Sequence, residues 1–156
     1  VNHLLDTLCN SNKTASSQAF VINQIGWHPF RSCDMELPRT NEYCCYILAS
    51  RKQMDVTYVG YTNNMRRHYD EHNWRAGGSS STRREDLNPW GLLGYVIGFK
   101  SKYEGRVFEV KWKAAIKAEQ MSRTIPTMTR VHLAEQVISL WNDPTELRLV
   151  VCGEVT

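Results

Sequence analysis

From Tyr43 onward, the apolar and polar positions fall into short blocks with different periods. "YCCYILAS" is a nearly continuous apolar run of strand length, "RKQMD" a polar turn, and "VTYVGYT" a second β-branched and aromatic run, so the three predict an antiparallel hairpin. "NNMRRHYDEHNW" changes to helical spacing, with Met65 and Tyr69 four apart and facing inward together, and Asn63 or Asn64 available as the cap. "RAGGSSSTRREDLNP" is rich in glycine, serine and charge and reads as a surface loop. "GLLGYVIGF" predicts a third strand. "EGRVFEVKWKAAIKAEQ" predicts a helix whose buried stripe includes Val107, Phe108, Trp112, Ala115 and Ile116. Thr127 or Thr129 opens another helix through "RVHLAEQVISLW", and "ELRLVVCG" has the pattern of a terminal strand.

These blocks describe an α/β (α+β) fold: a small central, mostly antiparallel, three-stranded sheet flanked by helices. Residues 1–42 follow no such rhythm. "HLLDTL" suits a short helix, "AFVINQIGWHPF" an extended segment ending at Gly26 and Pro29, and "RSCDMELPRTNE" a linker, so this region is expected to be an arm or cap on the domain that follows.

At 156 residues, the chain has the size of one domain. A formal charge of +3 permits a nucleic-acid partner without demanding one. The five cysteines show no C-x-x-C pair and no zinc-knuckle spacing, which favours reduced thiols and an intracellular setting, and Cys44 and Cys45 must point to opposite faces of their strand. No apolar stretch approaches the roughly 20 residues that a membrane-spanning helix needs, and no signal-peptide core is present.

The residues that suggest chemistry come from separate blocks. Tyr46 and Tyr58 lie on the two hairpin strands and can share a face, although aromatics favour strands for structural reasons too. Arg66, Arg67, His68 and His72 load the following helix, where His68 and His72 share a face. That pair lacks the H-E-x-x-H signature of zinc hydrolases, and a solvated basic face is the structural alternative. Glu109 stands among apolar neighbours. It either stabilises a helix start or offers a carboxylate to magnesium or manganese. The loop contains no Walker sequence, while its Arg83 and Arg84 suit contacts with a nucleic-acid backbone.

"CCYIL" with Tyr46, followed by "YVGYTNN", the arginine pair, "HN", Pro89-Trp90, Gly98-Phe99, Phe108-Glu109 and Trp112, resembles the GIY-YIG nuclease family. The order of the pieces is most similar to the Slx1-type structure-specific endonuclease domain, over roughly Tyr43 to Ile116. The resemblance implies that residues 43–156 form a nuclease domain with a helical and strand extension. It implies hydrolysis of DNA phosphodiesters, in branched DNA by preference, with one Mg2+ or Mn2+ per site on Glu109. Tyr46 would accept or relay the proton of the attacking water, Tyr58 would support the nucleophile or phosphate, and His72 would stand near that phosphate. Arg66, Arg67, Arg83 and Arg84 would contact the backbone. Counting from Tyr58, the family's catalytic arginine aligns with His68, so either Arg67 turns inward or a charged His68 takes its place. Cys44 replaces the glycine of the first motif.

The resemblance also implies a nuclear location and a scaffold partner, with RNA a less favoured substrate. A nucleic-acid-binding domain with little catalysis is the main alternative, and a protein-interaction module is the third. Salt-sensitive DNA binding separates the third from the first two.

Overall fold

The computed structural model describes residues 38–74 and 81–152. In chain order it contains β1 (Cys44–Ser50), β2 (Thr57–Thr62), α1 (Met65–Trp74), β3 (Trp90–Ile97), α2 (Lys102–Ser122), α3 (Thr127–Ser139), a 3-10 turn at Pro144–Glu146 and β4 (Arg148–Val151). The short helix, extended segment and most of the linker expected before residue 38 lie outside the described residues, as do the loop's glycines, Gly77 and Gly78.

The strands pair antiparallel throughout, in the order β2-β1-β3-β4. The sheet therefore has four strands and not the three expected. The terminal run is a sheet member, pairing Val151 with Gly94 and Arg148 with Ile97. Arg148 is exposed and the other three residues are only partly buried, and the strand covers the otherwise open backbone edge of β3. All seven residues of β1 are buried, which accounts for an apolar run without alternation: both faces of this inner strand are covered.

Cys45, Ile47 and Ala49 face one core with Val59, Phe108, Trp112, Ile116, Val131 and Ala134, built on α2 and α3. Cys44, Tyr46 and Leu48 face a second core with Met65, Tyr69, Leu87 and Trp90, beneath α1. The two neighbouring cysteines thus point to opposite faces, and Cys44, Cys45 and Cys152 are free thiols. Burial pushes the Cys44 and Cys45 thiols far above the ordinary range, which leaves them unreactive.

Asn64 is the residue that caps α1: its side-chain oxygen accepts from the backbone N–H of Arg67 at 3.1 Å. Met65 and Tyr69 are both buried, as their spacing required. Helix α2 starts earlier than its sequence pattern suggests, with Ser101 accepting from the Glu104 N–H. Glu109 therefore lies about two turns inside the helix, too deep for stabilisation by the helix N-terminus, a field that fades within about one turn. Thr127, not Thr129, opens α3, and its hydroxyl donates to the Met54 carbonyl at 2.7 Å. Arg130 then ties α3 to the β1–β2 turn through the Asp55 carbonyl and the Thr57 hydroxyl.

Tyr46 pairs with Gly60 and Leu48 with Tyr58, so both phenols rise from the same face of the hairpin. Gly60 lies inside β2. A Cβ there would stand 2.5 Å from the Tyr46 hydroxyl oxygen and 2.9 Å from the Tyr58 ring. Tyr46 is 1% exposed, so its ring has no open space to retreat into. Gly60→Ala is accordingly expected to lower the unfolding free energy by about 1–3 kcal/mol, the usual cost of overfilling a packed site. Urea unfolding of the two proteins measures it; equal midpoints would refute the packing argument.

Candidate active site

Helix α1 crosses the Tyr46 face and lowers His72 onto it. The Tyr46 hydroxyl lies 2.7 Å from His72 Nε2, and Thr82 Oγ1 lies 2.7 Å from His72 Nδ1. Burial, reinforced by Tyr58 and more weakly by Cys44 and Glu109, raises the Tyr46 phenol well above its ordinary range, so Tyr46 keeps its proton. Burial pushes His72 down to about 4, with repulsion from His68 adding to it, so the imidazole is neutral near pH 7. The two states select one tautomer: Tyr46 donates to Nε2, and Nδ1–H donates to Thr82.

Thr82 is itself held tightly. Its carbonyl accepts from Trp90 Nε1 at 2.9 Å and from Asn88 Nδ2 at 2.8 Å. Asn73, the residue after His72, accepts from the Trp90 N–H at 2.6 Å and so fixes α1 to the start of β3. The loop before β3 thereby orients the ring of α1's histidine. The Tyr58 ring completes the group, with its centroid 5.0 Å from that of His72 and 6.3 Å from that of Tyr46.

The carboxylate arrives from α2. Glu109 is 9% exposed and acts on the Tyr46 phenol electrostatically. Lys113 Nζ donates to Glu109 Oε1 at 2.7 Å and sits 5.8 Å from the centre of the Tyr58 ring. Arg106 Nη1 lies 3.7 Å from the other carboxylate oxygen, Oε2. A buried carboxylate needs such partners, and these two stand one turn to either side of it.

The structure therefore gathers Tyr46, Tyr58, His72 and Glu109 from β1, β2, α1 and α2. His68 borders the group, its ring 6.3 Å from that of His72 and its Nε2 3.8 Å from Glu71. Burial holds the His68 imidazole below its usual range; Arg67 and Arg106 add to the shift, and Glu71 opposes it. Arg67 is exposed and pairs with Glu71 at 3.5 Å, so the inward turn considered for it does not occur. Arg66 is exposed as well. Arg83 and Arg84 follow Thr82 directly and are exposed, with Arg84 bound to Asp86 at 3.1 and 2.5 Å.

Thr82, Arg106 and Lys113 escaped the sequence reading. The two cations were detectable, because they lie three residues before and four after Glu109 on one helix. Thr82 carried no such signal, since a loop hydroxyl reaches a helical histidine only through tertiary packing.

The chain that brings these two tyrosines, the histidine and the carboxylate together belongs to the GIY-YIG family. The GIY-YIG catalytic domain matches residues 42–122, just over half of the chain. The chain is similar to the structure-specific endonuclease subunit slx1 of Talaromyces stipitatus, 34% identical over 90 residues, covering 52% of this chain and 23% of that protein. The slx1 subunit of Aspergillus niger is 38% identical over 72 residues, covering 46% and 17%. That of Vanderwaltozyma polyspora is 38% identical over 77 residues, covering 48% and 24%. The chain thus spans less than a quarter of the length of each of these relatives. Among the described residues, no helix is long and apolar enough to cross a membrane.

His72 also links the site to stability. The unfolded chain takes up a proton at this imidazole near pH 6.5, whereas the folded chain resists until about pH 4. The contribution of neutral His72 is complete above pH 6.5 and is lost as pH falls towards 4. Thermal midpoints of the wild type should therefore drop across that window, and His72→Gln should drop less steeply. Parallel slopes would show that His72 is not buried in its neutral form.

Proposed function

We propose that this domain is a divalent-metal-dependent endonuclease that hydrolyses DNA phosphodiesters, with branched DNA as the preferred substrate. The observation that carries the reading is the hydrogen-bonded line from Tyr46 through His72 to Thr82 beside the Glu109 carboxylate. The attacking water gives its proton to the Tyr46 oxygen as the phenol proton passes to His72 Nε2. The imidazolium so formed then stands beside the developing negative charge of the phosphate. Tyr58 packs against His72 and borders the phosphate position. Arg83 lies on the loop behind Thr82 and, with Arg66, contacts the backbone away from the reacting bond.

Among the described residues, no three His, Cys, Asp or Glu side chains gather to hold an ion. The donor set nevertheless fits Mg2+ or Mn2+ held through one carboxylate, because among the described residues Glu109 Oε2 meets Arg106 at 3.7 Å and accepts no hydrogen bond. Such an ion, its shell completed by water and phosphate oxygens, supplies charge stabilisation to the phosphate and leaving oxygen. A scaffold protein as partner and a nuclear location complete the reading; the relatives' description as subunits of structure-specific endonucleases supports the partner.

The second reading is a DNA-binding domain on the nuclease fold with weak turnover. It is favoured by a single observation: α1 presents the imidazole of His68 to the site where a guanidinium was expected.

Nicked, flap and four-way DNA, each with Mg2+ or Mn2+, decide between the two. Glu109→Gln should lower cleavage at least about 100-fold, in line with loss of a principal electrostatic group. Tyr46→Phe should lower turnover far more than DNA affinity. Wild-type rates in both variants would place the chemistry elsewhere, and salt-sensitive binding without cleavage would establish the second reading.

A further inference from the structure

We propose that Arg106 and Lys113, the two cations flanking Glu109 on α2, grip the scissile phosphate and supply the positive charge that α1 does not provide. The inference rests on the nuclease reading above and names the phosphate ligands of that same site.

Helix α1 turns Met65, Tyr69 and His72 inward, with His68 half-buried at the edge of the site. None of these is a permanent cation. Arg67 lies outside, paired with Glu71, and Arg66 is exposed. A phosphodiester entering between the phenols and Glu109 brings a second negative charge beside a carboxylate that is 9% exposed. Like charges this close to a partly dehydrated site repel strongly unless a cation intervenes.

Arg106 and Lys113 are so placed. The Arg106 guanidinium lies over the Tyr61 ring at 5.0 Å, with Nη1 3.7 Å from Glu109 Oε2, and its charge reaches His68. It therefore lies on α2 within electrostatic reach of the α1 position from which a cation is missing. A stacked guanidinium keeps its remaining donors in one plane, which suits two phosphate oxygens at once. Lys113 approaches from the other side, between Glu109 and the Tyr58 ring. It also lines a cleft of about 420 Å³ shared with Tyr58, Lys117 and Gln120, which gives a strand a path past the ammonium. Arg106 and Lys113 are each about half exposed, so both remain within reach of a ligand. With no DNA bound they neutralise Glu109; when phosphate enters, they bridge the two anions.

The test compares single-turnover cleavage and equilibrium binding of branched DNA by wild type, Arg106→Ala, Lys113→Ala and Lys111→Ala, with circular dichroism to confirm folding. Lys111 serves as the control because it lies over the Trp141 ring, away from the site. Arg106→Ala and Lys113→Ala should each slow cleavage by about 10- to 100-fold, towards the range seen when an oxyanion donor is removed. Lys111→Ala should stay within about 2-fold of wild type, the size of an ordinary surface-charge effect. Adding His68→Arg to Arg106→Ala should restore at least about 10-fold of the lost rate, since it returns a guanidinium to the same phosphate. Cleavage by wild type that both α2 variants match would overturn the inference and leave the nuclease reading intact. If wild type binds DNA without cleaving it, the nuclease reading falls. The phosphate assignment then survives only if each variant weakens binding and reduces the salt slope by about one. Absence of DNA binding by folded wild type would overturn both.

Discussion

The candidate site depends on an empty volume opposite one ring. Tyr46 lies across β1–β2 from Gly60, and a side chain at that position would meet its hydroxyl. With the space open, the phenol spans the neighbouring strand and ends 2.7 Å from His72 Nε2. With the space filled, the ring would need a new rotamer inside a core that offers none. The same glycine therefore sets the packing of the hairpin, the seat of α1 and the hydrogen bond that decides which nitrogen of His72 carries the proton.

Around that contact, the fold separates neutral polar groups from charged ones. Tyr46, His72 and Thr82 form a buried line in which burial favours the uncharged form of each titratable member. Such a line can pass a proton in one direction without carrying a standing charge. Glu109 lies where α2 meets the hairpin, and its charge is balanced by Lys113 and Arg106, which remain open to solvent. Solvent-exposed cations thus border the carboxylate at the rim, while the neutral tyrosine–histidine pair lies within.

The mobility of individual charges also follows from burial. Lys113 and Arg106 hold Glu109 from half-exposed positions, where ion pairs are weak and exchange readily for a better anion. The hydrogen bonds that orient His72 are enclosed by Thr82, Trp90 and Asn73 and have no such freedom. The hydrogen-bonded line is therefore held firmly, while the cations around Glu109 are adaptable.

Much of this was legible in the residues themselves. Periodicity located every described strand and helix, because a strand buried on both faces and an amphipathic helix leave patterns of different length and spacing. The motifs in order, from the Tyr46 strand through Tyr58 to Gly60 and on to Phe108-Glu109 and Trp112, pointed to the family whose catalytic domain matches residues 42–122. Sequence located the β4 run but could not join it to the sheet, because its exposed and partly buried residues gain their pairing only beside β3. Nor could it show that Gly60 makes room for the Tyr46 ring, that Arg67 faces solvent, or that Thr82 holds His72. Local pattern is written by the neighbours of a residue along the chain. These four facts are contacts between distant segments, so only the tertiary structure decided them.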